Sequence, residues 1–282
     1  MSPLISTAGL AARLGDPTLV VLDASWFMPG VPRDPAAEFR ERHIPGAAFF
    51  DIDAISDRTT DLPHMLPPPA EFEAAVRAFG VNPDTDVVVY DSEGVFSAPR
   101  AWWEFRAMGH DRVLVLDGGL KAWLAEGRPV ESGEPTARAA GTFRAQPRAA
   151  LVRDLDEMRA IVRNRAEQVV DARAGPRFRA EVPEPRAGLR SGHMPGARNL
   201  PFSALVQPDG RLAAPDALEA AFHGAGVDLA APIVTTCGSG LTASVLALGL
   251  ARLGREDVAV YDGSWTEWGG RDDTPVVTGP AD

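Results

Sequence analysis

Short apolar runs alternate with amphipathic stretches along the whole chain. Residues 18–22, 47–50, 86–90 and 112–116 are rich in Val, Leu, Ala and Phe and read as strands. Between and after them, residues 36–42, 69–79, 99–108 and 119–126 carry helical patterns. The run 86–90 is almost continuously apolar, as expected of a parallel strand buried on both faces. Strand-helix alternation predicts an α/β fold, a parallel sheet covered by helices on both sides.

The pattern then occurs a second time. Val20-Val-Leu-Asp23 returns as Val169-Val-Asp171, and His43-Ile-Pro-Gly-Ala47 as His193-Met-Pro-Gly-Ala197. Val87-Val-Val-Tyr-Asp91 returns as Ile233-Val-Thr-Thr-Cys237, and Leu116-Asp-Gly-Gly-Leu-Lys-Ala-Trp123 as Tyr261-Asp-Gly-Ser-Trp-Thr-Glu-Trp268. Four matches in one order at a nearly constant offset indicate a duplicated domain. The expected division is residues 1–130, a Pro/Gly/Ala/Arg-rich linker over 131–149, and residues 150–282.

Composition narrows the function. The chain has 282 residues, 45% of them hydrophobic and 24% charged, which is a globular composition. A net charge of −11 argues against nucleic acid and anionic membranes as main partners. No apolar run reaches membrane length, and the N-terminus lacks a basic segment followed by an apolar one, so neither a membrane span nor a secretory signal is expected. One cysteine excludes an intrachain disulfide and any Cys-rich metal site, and a single free thiol fits a reducing compartment, the cytoplasm. The histidines are scattered, no dinucleotide or P-loop fingerprint occurs, and no cofactor or metal is expected.

That cysteine, Cys237, follows a β-branched run and precedes a helix-like run from Ala243. Gly238 and Gly240 allow the loop to curl so that successive N–H groups point inward, a concavity that favours an anion. Cys237 is therefore expected as a thiolate near neutral pH, below the ordinary thiol value of about 8.5. The competing reading is an inert buried cysteine in a βα turn. The equivalent first-half loop, Asp91-Ser-Glu-Gly-Val-Phe-Ser97, is longer and acidic, and is expected not to hold an anion the way the Cys237 loop can. The first domain is thus expected to be silent at its own loop and to form one wall of a cleft. Ala243 stands where the arginine of a Cys-x₅-Arg phosphatase loop belongs, so that chemistry is not expected.

Cys237-Gly-Ser-Gly-Leu-Thr242 resembles the active loop of the rhodanese superfamily, and its Cys-Gly-Ser-Gly form is similar to the 3-mercaptopyruvate sulfurtransferase branch. Leu241 replaces the usual valine. Thiosulfate-using members typically carry basic residues directly after the cysteine, where Gly238 and Ser239 stand here. The resemblance covers about residues 4 to 275 and implies two tandem rhodanese domains. It further implies transfer of the sulfur of 3-mercaptopyruvate through a Cys237 persulfide to a thiol such as thioredoxin, a small thiol, or cyanide, with release of pyruvate. The loop residues Gly238, Gly240, Leu241 and Thr242 would hold the sulfur. Arg177 and Arg186 match the two arginines that bind the substrate's carboxylate and ketone, whereas Arg179 lies outside the pattern. Asp53 and His64, eleven positions apart, match the aspartate and histidine that join the loop serine, here Ser239, in a proton relay.

Each assignment has a plainer alternative. The arginines can be salt-bridged to Glu181 and Glu184, Thr242 can cap a helix, and His64 can be a surface histidine in a Pro-rich loop. His43 and His193 recur in both halves and are expected to be structural. Two rival functions stand beside the main one. One is a thiosulfate sulfurtransferase. The other is a carrier module that receives persulfide from a partner without turnover, which would have no use for a keto-acid clamp.

Overall fold

The structure is a computed structural model and describes residues 2–135 and 137–281. The chain divides into two compact units. The first comprises the chain up to Asp57, Leu66–Arg148 and Gln207–Leu212; the second comprises Arg58–Met65, Ala149–Val206 and everything from Ala213 onward.

In the first unit the elements run β1 (Leu4–Ile5), α1 (Thr7–Ala11), β2 (Leu19–Asp23), α2 (Pro35–Glu41), β3 (Ala48–Phe49), α3 (Pro69–Ala78), β4 (Asp86–Tyr90), α4 (Ala98–Ala107), β5 (Val113–Leu116) and α5 (Gly119–Ala125). In the second they run β6 (Val152–Arg153), α6 (Leu155–Asn164), β7 (Gln168–Asp171), α7 (Gly175–Phe178), β8 (Arg198–Asn199), α8 (Pro215–Gly224), β9 (Ile233–Thr236), α9 (Ala243–Arg252), β10 (Ala259–Tyr261) and α10 (Ser264–Trp268). Each unit is a five-stranded parallel sheet, ordered β1-β5-β4-β2-β3 and β6-β10-β9-β7-β8. The duplication seen in the sequence is thus a duplication of topology.

Local chemistry sets the helix starts. Asp34 accepts from the N–H groups of Ala36 and Ala37, with Pro35 opening α2. Asp154 and Glu157 form a reciprocal capping box on α6. Nearly all of α9 is buried, which its almost uninterrupted apolar sequence requires. The segment read as linker packs on the first unit. Phe143 is buried, Gly141 and Phe143 donate to the carbonyls of Arg77 and Val81, and Arg138 reaches the carbonyl of Leu19.

The strand order positions the site. β9 lies between β7 and β10, with Asp171 opposite Thr236 and Val260 opposite Thr235. The segments that follow these three strands therefore leave the sheet side by side at its carboxyl edge, where open α/β sheets bind ligands. They begin at Ala172, Cys237 and Asp262 respectively.

Candidate active site

Cys237 is buried and is the first residue after β9. The start of α10 holds its loop. The N–H groups of Trp265 and Thr266 donate to the carbonyls of Cys237 and Gly238 at 2.9 Å each, and the Thr266 hydroxyl adds a second bond to Gly238 at 2.6 Å. The Ser264 hydroxyl oxygen accepts from the N–H groups of Cys237 (3.2 Å) and Gly240 (3.0 Å) while donating to the carbonyl of Tyr261. With two carbonyls tied outward and Gly240 at φ 77°, the loop curls. Among the described residues, no hydrogen bond engages the N–H groups of Gly238, Ser239, Leu241 or Thr242. Polar N–H groups at the end of a parallel strand and the start of a helix suit a sulfur anion.

The first unit shows what such a loop holds. Asp91 occupies the position of Cys237, and its carboxylate accepts from the backbone N–H groups of Glu93, Gly94, Phe96, Ser97 and Ala98 at 2.8–3.0 Å. Leu120 donates to the carbonyl of Asp91 as Trp265 does to that of Cys237, both at 2.9 Å. The loop's inward N–H groups are thus taken up by its own Asp91 side chain, whose pKa burial raises, and are not presented to an outside anion as those of the Cys237 loop are.

On the other flank of the Cys237 loop, the segment after β7 brings up a chain of charges. Arg173 is buried; its Nε and Nη2 bind both oxygens of Asp171, its Nη1 reaches Glu184 at 2.8 Å, and its guanidinium lies 4.1 Å from the centre of the Trp265 ring. Burial works against its charge, but Asp171 and Glu184 outweigh burial and raise its pKa above the ordinary arginine value. Glu184, also buried, bonds Arg177 through its other oxygen. Arg177 thus has the carboxylate partner that the plainer reading offered it, yet its guanidinium also faces the loop. A Cβ placed on Gly238 would stand 3.3 Å from Arg177 Nη2 and 4.0 Å from Arg186 Nη1. The two arginines converge beside the residue that follows Cys237. Arg179 pairs with Glu181 at 2.7 and 2.8 Å, apart from this chain.

His64 lies in the short segment of the amino-terminal half that packs with the second unit. Its Nδ1 is 3.0 Å from the Ser239 hydroxyl and 3.3 Å from the Ser239 carbonyl. It is buried rather than a surface histidine, and its φ of 61° is uncommon for a residue with a side chain. Asp53 belongs to the first unit, where it accepts from Trp26 Nε1 at 3.0 Å. Thr242 precedes α9 without a side-chain cap bond, which removes the capping alternative for its hydroxyl. Leu241 is buried. His43 and His193 are buried turn residues whose Nδ1 atoms engage the carbonyls of Phe39 and Phe178.

Sequence reasoning passed over Arg173, Glu184, Ser264 and Thr266 as parts of the site. The available signals were an arginine two residues beyond a strand-terminal aspartate, and a serine in Asp262-Gly-Ser-Trp265 where the first half has Gly119.

Comparison with known proteins agrees with this fold. Residues 6–126 and 154–271 each match the rhodanese-like domain. The chain is 47% identical to the human 3-mercaptopyruvate sulfurtransferase, over 94% of this chain and 89% of that protein. It is 43% identical to the mitochondrial thiosulfate/3-mercaptopyruvate sulfurtransferase 1 of Arabidopsis thaliana, over 97% of this chain and 78% of that one. Among solved structures, SseA from Escherichia coli, a 3-mercaptopyruvate sulfotransferase with the rhodanese fold, superposes with a TM-score of 0.86 at 42% identity, covering 94% of this chain and 99% of its own. With two matched domains, a shared topology and relatives similar over most of their length, the chain belongs to the rhodanese family.

Proposed function

We propose that the protein is a sulfurtransferase that takes the sulfur of 3-mercaptopyruvate onto Cys237 and passes it to a thiol or to cyanide, releasing pyruvate. The observation that carries this reading is the convergence of Arg177 and Arg186 on Gly238. A keto acid offers a carboxylate and a ketone oxygen, and two guanidinium groups suit both. Gly238 leaves their approach open. A basic side chain there would meet Arg177 at close range.

In the first half-reaction the Cys237 thiolate attacks the substrate sulfur. The S–S bond forms, the C–S bond breaks, and its electron pair passes to carbon as the pyruvate enolate. Ser239 and His64, in contact, take the substrate thiol proton and return it to the enolate carbon, so no outside proton is consumed. Asp53 is assigned as the relay's carboxylate from the family's pattern. The persulfide rests against the N–H groups of the loop, with Gly238, Gly240, Leu241 and Thr242 as its surroundings. In the second half-reaction cyanide attacks the outer sulfur and leaves as thiocyanate, or a thiolate such as that of thioredoxin leaves as a persulfide, and Cys237 is restored. This is covalent catalysis in two steps and gives ping-pong kinetics. A reducing compartment such as the cytoplasm suits the free thiol; among the described residues no helix is long and apolar enough to cross a membrane.

The deciding experiment is the ratio of kcat/KM for 3-mercaptopyruvate to that for thiosulfate, with cyanide as acceptor. A ratio well above one is expected. A ratio below one makes the protein a thiosulfate sulfurtransferase, and no turnover with either makes it a persulfide carrier.

Ser264 provides a second test. It holds a left-handed conformation, φ 48°, where its first-unit counterpart is Gly119, φ 54°. Ser264→Gly relieves roughly 1–2 kcal/mol of backbone strain and removes the hydroxyl that ties Cys237 to Gly240. The variant is expected to keep its fold and its KM for mercaptopyruvate while losing kcat, about 10- to 100-fold. An unchanged kcat rejects the role of Ser264 in shaping the loop.

A further inference from the structure

We propose that the first unit contains a binding site for a guanidinium cation, in the cavity above Asp23 at the carboxyl end of β2. The second unit fills the equivalent place with its own Arg173.

The correspondence rests on matched contacts inside each unit. Asp23 ends β2 and Asp171 ends β7, and each accepts on Oδ1, at 2.9 Å, the N–H of the residue two positions on, Ser25 or Arg173. Phe39 stacks on His43, whose Nδ1 engages the Phe39 carbonyl at 2.8 Å; Phe178 stacks on His193, whose Nδ1 engages the Phe178 carbonyl at 2.9 Å. Leu120 corresponds to Trp265 through the shared bond of its N–H to the loop carbonyl. Arg42 and Gly192 directly precede the two histidines.

In the second unit this frame encloses a guanidinium. Arg173 lies on the Asp171 carboxylate, donates to the carbonyl of Gly192 at 2.8 Å and stacks against Trp265. In the first unit the residue at that position is Ser25, whose hydroxyl is bonded to the N–H of Ser92, and the wall is Leu120 in place of tryptophan. A cavity of about 520 Å³ results, lined by Asp23, Ser25, Glu38, Phe39, Arg42 and Leu120 among others. That volume is in the range of small-molecule sites.

The wall carries the carboxyl groups of Asp23, Glu38 and Glu41 against the guanidinium groups of Arg33 and Arg42, a small excess of acidic groups. Glu38 precedes Phe39 as Arg177 precedes Phe178, so a carboxylate replaces the keto-acid arginine of the second unit. Arg33, also in the wall, is committed to Glu38 at 2.6 Å and to Glu93, and lies over the Phe27 ring. Asp23 itself is 2% exposed. Its carboxyl is bonded by the hydroxyl and N–H of Ser25 and by the Tyr90 hydroxyl, and has no cation paired with it among the described residues. Burial consequently pushes its pKa up to about 6. A guanidinium entering the cavity would give Asp23 the bidentate partner that Asp171 has.

The ligand is a free guanidinium compound or an arginine side chain of a peptide, and calorimetric titration of the full-length protein distinguishes them. One arm uses agmatine and the other a blocked Gly-Arg-Gly peptide. Saturable binding at millimolar concentration or below is expected in at least one arm. Tighter binding of agmatine indicates a small metabolite, and tighter binding of the peptide indicates a protein segment. Asp23→Asn is expected to weaken binding about 10- to 100-fold. Ser25→Arg, which supplies the guanidinium internally, is expected to abolish it, with sulfur transfer retained in both variants. If Asp23→Asn does not fold, Ser25→Arg decides. Absence of saturable binding in both arms, or undiminished binding to Ser25→Arg, overturns the proposal.

Discussion

Cys237→Ser is expected to transfer no sulfur from any donor, and to do so without losing its fold. The hydroxyl of serine is a far weaker nucleophile toward sulfur than a thiolate, and no persulfide can form on oxygen. The bonds that shape the loop reach Cys237 through its backbone: its N–H to Ser264 and its carbonyl to Trp265. None requires the thiol. A buried hydroxyl that lacks a partner costs about 1–3 kcal/mol, so the melting temperature falls moderately and the folded protein remains assayable. Thiocyanate production measures the loss directly. Mass spectrometry of wild-type protein incubated with 3-mercaptopyruvate should show one added sulfur atom, absent in the variant. Persistent turnover in Cys237→Ser would remove the covalent mechanism altogether, since no other cysteine exists to take its place.

The duplicated pattern made the architecture legible from the sequence, because a parallel strand buried on both faces leaves a short continuous apolar run. β4 lies at residues 86–90 as read, and α2 to α5 fall within a residue or two. β1 and α1 were not legible. Two residues at a sheet edge and a five-residue helix leave too short a pattern for periodicity to register. The Cys237 loop was legible because its glycines and its place between strand and helix are local features. The side chains that organise it from a distance were not. Arg173 and Arg177 look alike in sequence. Only the fold turns the first inward onto Asp171 and leaves the second beside Gly238. An acidic loop gives no sign of where its carboxylate points; the fold turns that of Asp91 inward onto the loop's own N–H groups. Ser264 lies 27 residues from Cys237, and no local pattern reports a hydroxyl that accepts from two amides of another loop.

The arginine pair carries the second large effect. Arg186→Ala is expected to lower kcat/KM for 3-mercaptopyruvate about 10- to 150-fold, the equivalent of roughly 1.5–3 kcal/mol for a lost charged hydrogen bond. Arg177 is tied to a buried carboxylate. It shares Glu184 with the buried Arg173, so Arg177→Ala removes the proposed keto-acid ligand and also one of the two cations around a buried carboxylate. Its loss should therefore lower thermal stability as well as activity. Arg177→Lys separates the two effects. It keeps the charge beside Glu184 but gives up the planar two-pronged donor, so stability should return before keto-acid use does. Mercaptopyruvate kinetics unchanged in Arg186→Ala would show that the convergence on Gly238 serves the loop's structure and not the substrate. The keto-acid specificity would then have to come from the Ser239–His64 side of the site.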